Sequence, residues 1–368
     1  MLVFGVCLLW SSPVLGQSVV GTVVDATSNE PIPGAFVVLV DTTGAEAART
    51  LTTGSGTFRL GATQPGTFRL RVERIGVADV TTEAFSIARG QVVSRQVLVT
   101  LAPVRLADLQ VQTTAQCTML QEDAVELSRV WEEARKALKA TVWTGQQTYY
   151  RFDGLLSRQS LDTDGNEVGQ PEFESIRTYG PNPFASALPN DLAFGGWVQP
   201  ARSGGLAFYG PDAKVLLSES FLRRHCFWLQ RDVVTGSDVI GVNFEPLPTR
   251  RVTDISGVLW IDATSAELRS MEFTYEGLDL PFNTEMLGGE VEFDRLPDGA
   301  WIVRRFIIRT PLVSVRMRLV GLYEEGQSVT AIWRTADLQA GPAGALPEDV
   351  APVNAPADEL VVRYSAGN

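Results

Sequence analysis

Short runs in which apolar and polar residues alternate, each closed by Gly, Pro, Asn or Asp, fill residues 19–101 and constrain the fold more than any other feature. Val19-Val20-Gly21-Thr22-Val23-Val24-Asp25 ends in a turn, and Pro31-Ile32-Pro33-Gly34-Ala35 opens the run from Phe36 to Val40. Thr57-Phe58-Arg59-Leu60 precedes the turn at Pro65-Gly66, which leads into Thr67 to Val72. A period of two sends successive side chains to opposite faces, so each run predicts a strand with one buried and one wet face. Such a set closes into a small β-sandwich, a module that binds or braces and seldom catalyses.

Two paired segments carry a family resemblance. Gly21 to Asp25 with Pro31 to Ala35, and Thr53-Gly54-Ser55-Gly56-Thr57-Phe58-Arg59-Leu60 with Pro65 to Val72, resemble a carboxypeptidase-regulatory-like domain. The resemblance implies a seven-stranded, transthyretin-like or starch-binding-like sandwich. Such domains occur beside metallocarboxypeptidases and at the N-termini of bacterial TonB-dependent outer-membrane receptors. The motifs specify a fold and leave the activity open, because unrelated functions share folds.

The chain has 368 residues, enough for two domains, with 45% apolar and 20% charged residues. A net charge of −12 without a Lys/Arg run argues against nucleic acid and against an anionic membrane surface. Residues 1–16 read as a signal peptide: an apolar run from Leu2 to Trp10, then Val14-Leu15-Gly16 before Gln17, although no Lys or Arg precedes the run. No later stretch reaches the ~20 apolar residues of a transmembrane helix. Phe4-Gly5-Val6 ahead of Cys7 argues against a lipoprotein anchor. Removing the leader leaves Cys117 and Cys226. In an exported protein this pair favours a disulfide over two separate buried thiols.

The expected organisation is a leader (1–16), the sandwich (17–101), a connector (102–117), a second domain (118–339) and a disordered tail (340–368) rich in Pro, Ala and Gly. The second domain begins with a helix: Leu120, Ala124, Leu127, Trp131, Ala134 and Leu138 make one apolar stripe. Thr118 and Gln121 have capping-box spacing, and Arg135, Lys136 and Lys139 fall towards the expected C-terminal end. Strand patterns follow: Gln146–Ser157, a turn at Asp162-Thr163-Asp164-Gly165-Asn166, Phe173–Tyr179, Ile255–Asp262, Leu268–Tyr275, Gly289–Arg295, Trp301–Arg309, Val313–Tyr323 and Val329–Leu338. One helix before an antiparallel meander predicts a curved sheet packed around it, making the chain mainly β. Gly257-Val258-Leu259-Trp260-Ile261-Asp262 followed by Glu267-Leu268-Arg269-Ser270-Met271-Glu272-Phe273 resembles the open half-barrel of lipoprotein carriers of the LolA and LppX type.

Catalytic constellations are hard to find. His225 is the single histidine, and zinc-peptidase spacing, a Gly-x-Ser-x-Gly elbow and phosphate-binding glycine loops are missing. The Asp162 turn places its glycine too early for a calcium loop and reads as a hairpin. No cofactor and no metal are expected. The Gly- and Pro-rich segment 180–211 carries Phe184, Phe194, Trp197, Phe208 and Tyr209. Those aromatics either plug the sheet or cover an apolar or sugar-stacking pocket. The expectation is a non-catalytic exported protein of the periplasm, outer-membrane periphery or extracellular space. Its sandwich contacts an envelope protein or glycan, and its second domain holds an apolar, lipid-like ligand. Its rivals are a carbohydrate-binding module protein and an outer-membrane receptor-associated protein.

Overall fold

The computed structural model describes residues 17–75, 77–100, 121–146, 150–179, 186–201, 205–231, 239–296, 299–314 and 318–334. The chain divides into two units, Met1–Ala102 and Pro103–Asn368.

In the first unit the alternating runs become β1 (Ser18–Asp25), β2 (Phe36–Asp41), β3 (Glu46–Leu51), β4 (Thr57–Gly61), β5 (Gly66–Arg74), β6 (Val77–Thr81), β7 (Phe85–Ile87) and β8 (Val92–Val99). One sheet has the order β4-β1-β8, with β1 and β8 parallel; the other has the order β3-β2-β5-β6, with β7 also on β5. β6 pairs with Arg71–Arg74 of β5 and β7 with Gly66–Phe68, so eight strands fill seven positions. The inward residues Val19, Val23, Val37, Leu39, Phe58, Leu60, Leu70 and Val97 form one buried cluster. Turns are closed by side chains as well as glycines. Asp25 Oδ1 accepts from the Thr27 and Ser28 amides at 2.8 Å each. The buried Thr52 hydroxyl donates to Ile32 O at 2.6 Å and accepts from Ala35 N at 2.9 Å, joining two loops through the core.

The second unit opens with α1 (Gln121–Gln146). Val130, Ala134, Ala137 and Leu138 are fully buried, and Leu127, Ala140, Thr141 and Thr144 nearly so. Trp131 is half-buried, its ring 5.4 Å from that of Phe227. The helix outruns its expected end, so Arg135, Lys136 and Lys139 lie in its interior. Lys136 is itself buried and pairs with buried Glu133 at 3.2 Å. Leu120 and the Thr118 cap lie outside the described residues, as does the side chain of Ala124.

Nine strands then form one antiparallel sheet. They are β9 (Tyr150–Leu161), β10 (Glu167–Tyr179), β13 (His225–Arg231), β14 (Val239–Pro246), β15 (Asp254–Asp262), β16 (Leu268–Glu276), β17 (Gly288–Arg295), β18 (Trp301–Val313) and β19 (Leu319–Arg334). Their order is β10-β9-β19-β18-β17-β16-β15-β14-β13, with β10 and β13 at the edges, so the sheet is not a closed barrel. Between β10 and β13 lie α2 (Pro189–Gly195), the hairpin of β11 (Val198–Pro200) and β12 (Leu206–Phe208), α3 (Ala213–Leu216) and α4 (Glu219–Leu222). The 162–166 turn is a hairpin tip in which Asp162 Oδ1 accepts from the Asp164 and Asn166 amides at 2.9 Å.

The expected strand 313–323 is divided between the end of β18 and the start of β19, and the expected break before Val329 does not occur. β18 ends at Val313, and β19 begins at Leu319 and runs on through Gly326-Gln327-Ser328. A Cβ at Gly326 would stand 2.8 Å from Ser157 Oγ and 3.2 Å from Ile307 Cγ1. Glycine here marks close approach of both neighbouring strands rather than a turn.

Two outcomes test this architecture. A fragment of residues 17–102 is expected to melt in one cooperative transition, because its core is complete within the unit; a featureless melt contradicts the division. Leu138→Ala is expected to destabilise the second unit by about 2–5 kcal/mol, and a loss within ~0.5 kcal/mol would place the helix on the surface.

Candidate functional site

Strand register assigns side chains to the two faces of the large sheet. Phe227, Phe244, Gly257, Phe273 and Gly289 are cross-strand partners in sequence, and Trp131 of α1 packs on the first of them. This is the helix-facing side. One residue along, Trp228, Asn243, Val258, Glu272, Glu290 and Ile307 make the adjacent row. Because side chains alternate, that row points away from the helix.

The face away from the helix carries a groove of about 1080 Å³. Trp228, Asn243 and Val258 line it, together with the carboxyl-bearing residues Asp164, Glu167, Glu245, Glu272, Glu276, Glu285, Glu290 and Glu324; Arg309 is the one cation among its lining residues. Its rim includes the β9–β10 turn at Gly165, which comes against Met286 of the 277–287 loop. Arg309 is engaged by Glu324 at 2.7 Å. Glu272 accepts from Trp260 Nε1 at 3.1 Å, and Glu276 from Ser256 Oγ at 2.6 Å. Glu272 stands directly opposite Glu290 across β16 and β17, an arrangement that costs stability because like charges face each other. Burial, and then the neighbouring charges of Glu292 and Glu272, push the Glu290 carboxyl above the usual carboxylate range. Asn243 is 9% exposed, and its Nδ2 has no hydrogen-bond partner.

On the opposite side of the sheet, aromatic rings pack closely around His225. His225 stacks on Phe221 with centroids 3.9 Å apart, and Phe221 also meets Trp197 and Phe244 edge-on. His225 Nδ1 lies 2.9 Å from Phe221 O, and Nε2 lies 3.2 Å from Ile255 O and 3.1 Å from Asp254 Oδ1. Each ring nitrogen thus has an oxygen partner, and both are spent inside the packing. Asp254 also accepts from Arg250 Nε, and Arg250 Nη1 donates to Ala193 O at 2.8 Å. Burial by itself raises the Asp254 pKa; the hydrogen bond and charge of His225, with the charge of Arg250, outweigh it and hold the carboxyl below its ordinary value. The space among Leu192, Trp197, Val215 and Phe221 is about 10 Å³, roughly one water. His225 is therefore a structural tie between the 186–224 segment and the sheet, with both nitrogens occupied.

The aromatic residues expected in a ligand cover separate. Trp197 is 2% exposed and belongs to the packing just described. Phe208 packs edge-on against Tyr275 at 5.3 Å, and Tyr275 donates its hydroxyl to Tyr209 O at 3.1 Å. Phe194 is 76% exposed, with the Arg224 guanidinium 5.5 Å from its ring. Phe184 lies outside the described residues. Cys226 is buried in β13, and its expected partner Cys117 lies outside the described residues. Sequence reasoning passed over the groove residues; the alternation Glu272, Thr274, Glu276 along one strand was the signal for a polar face. Among the described residues, no group of three or more His, Cys, Asp or Glu could hold a metal ion. No described helix is long and apolar enough to cross a membrane.

Residues 18–102 match the carboxypeptidase regulatory-like domain family. No curated protein is significantly similar to the chain. Among solved structures, a protein from Bacteroides uniformis proposed to bind carbohydrate aligns at 10% identity over 64% of this chain and 93% of its own, with a TM-score of 0.21. The major pilin subunit BcpA of Bacillus cereus aligns at 11% identity over 84% and 95%, with a TM-score of 0.20. A 9R-lipoxygenase from Cyanothece aligns at 11% identity over 91% and 44%, with a TM-score of 0.19. Scores this low, shared by a binder, a pilin and an oxygenase, establish neither fold nor function. The family match alone characterises the first unit.

The Asp254 tie has a pH signature. A carboxyl whose folded pKa is depressed contributes stability that is present above its ordinary value of 3.8 and is lost as pH falls through the lower folded value. Melting temperature followed through that range should show an acid limb in the wild type that flattens in Asp254→Asn. Asp254→Ala, which leaves His225 and Arg250 without their shared partner, should cost about 3–5 kcal/mol at neutral pH. An unchanged acid limb in Asp254→Asn contradicts the assignment.

Proposed function

We propose that this chain is an exported, non-catalytic binding protein of the cell envelope, in which the sandwich contacts a protein or glycan and the second unit receives a ligand in the groove away from α1. The groove carries the reading: it is a broad concavity in which polar groups from several strands converge beside the Trp228 ring. Its polar lining moves the second unit's ligand from the apolar class expected from sequence to a polar one. The sandwich's regulatory-like family supports a contact role, and the occupied nitrogens of His225 support the absence of acid–base chemistry there.

In this reading residues 1–16 are removed on export, 102–117 connect the two domains, and 340–368 form a tail. Cys117 pairs with Cys226, whose burial in β13 suits a bridge. A saccharide also suits a groove that sets Trp228 beside carboxylates and an amide, and a neutral glycan is the rival ligand.

Thermal shift against peptide and oligosaccharide panels tests the proposal. A ligand at a hundred times its Kd should stabilise the protein by about 2.7 kcal/mol. The shift should be saturable, be abolished by Trp228→Ala, and leave the ligand chemically intact. Conversion of the ligand, or a shift indifferent to Trp228, contradicts it.

A further inference from the structure

We propose that the groove on the outer face of the nine-stranded sheet docks a lysine- or arginine-rich segment of a partner polypeptide. The inference rests on reading the groove as a ligand site and specifies its ligand. Eight carboxyl-bearing residues line the groove against one cation, and that cation, Arg309, is already taken by Glu324. The groove is therefore strongly acidic even after its internal pair is discounted.

The carboxylates come from separate strands and loops rather than from one point. Glu245 is on β14, Glu272 and Glu276 on β16, Glu290 on β17 and Glu324 on β19. Dispersed charge of this kind matches several cationic groups spaced along an extended chain, and among the described residues no carboxylate set is gathered tightly enough for a metal. Glu272 opposite Glu290 is a repulsion within the fold that a guanidinium or ammonium between them converts into two charge-assisted hydrogen bonds.

An independent observation points to a peptide. Asn243, nine-tenths buried beside Trp228, presents an Nδ2 without a partner. A lone cation offers that donor nothing, whereas a main-chain carbonyl accepts from it. Trp228 next to it in the row provides a ring face for the stem of Lys or the plane of Arg. The groove volume of about 1080 Å³ accommodates a segment of several residues.

The raised pKa of the Glu290 carboxyl agrees with this. A group raised on folding contributes stability below its ordinary value and loses it as pH rises, so ionised Glu290 weakens the fold at neutral pH. Glu290→Gln should therefore raise the melting temperature while weakening peptide binding, which separates a ligand contact from a structural one.

The test uses the full chain and a fluorescent octalysine peptide, with anisotropy as readout. Binding is expected to be saturable and to weaken steeply as salt is added. Glu272→Gln with Glu290→Gln should lower affinity about tenfold or more, and Asn243→Ala severalfold, in proteins that still fold cooperatively. Glu219→Gln, on the exposed surface of α4, should change it less than about twofold. Equal losses in Glu219→Gln and the groove variants would reduce the effect to net charge and overturn the proposal. A neutral oligosaccharide that binds, with loss in Trp228→Ala and Asn243→Ala, while octalysine does not, overturns the cationic partner and leaves the groove as a ligand site. Binding of neither overturns both readings.

Discussion

The register of the nine-stranded sheet is the constraint on which the second unit depends. Side chains alternate with a period of two, so a slip of one residue anywhere would exchange Phe227, Phe244 and Phe273 for Trp228, Asn243 and Glu272. Burying the first row under α1 forces the second outwards. At Gly257 a Cβ would approach the Phe244 ring to 2.8 Å and Glu272 O to 2.1 Å, so the row of rings closes only around glycine. The acidic groove is thus the obligatory reverse side of the core rather than an added feature, and its position is fixed as firmly as the packing that defines it.

A second interaction fixes what covers the core side. The segment from α2 to α4 has helices of only a turn or two and two three-residue strands, too little regular structure to be stable alone. It is held by side chains and loop amides. Arg250 reaches Ala193 O, Thr253 receives the Trp197 amide at 3.0 Å and the Val198 amide at 2.9 Å, and His225 joins Phe221 O to Asp254 and Ile255 O. Asp254 stands where these bonds converge, 1% exposed, its carboxyl held below the ordinary value by His225 and Arg250 against the effect of burial. The only histidine of the chain is therefore consumed in architecture.

Much of the fold was legible because its turns are spelled locally. Asp25 and Asp162 close their turns with their own carboxylates, and alternation between such turns gives strands directly. The first half of α1 was equally plain from Leu127, Ala134 and Leu138. Its last turns were not, because Thr141-Val142-Trp143-Thr144 has poor helix propensity, and burial of Thr141 and Thr144 overrides it. Gly326-Gln327-Ser328 read as a break because its glycine answers a contact with strands far away in sequence. The groove was invisible for the same reason. Glu245, Glu272, Glu290 and Glu324 are spread over eighty residues and meet only through strand register. The dense aromatics at 194–209 drew attention instead, and the structure places Trp197 in packing and Phe194 on the surface.

The central claim is that the sheet is two-faced, with its ligand on the side away from α1. Indole resonances measure this most directly, because tryptophans sit on both sides: Trp228 lines the groove, whereas Trp131 and Trp197 pack on the helix-facing side. Titrating octalysine into the isotopically labelled chain should move the Trp228 indole N–H signal saturably and leave those of Trp131 and Trp197 in place. Movement of Trp131 or Trp197 with Trp228 unaffected would put the ligand on the other face and contradict the account.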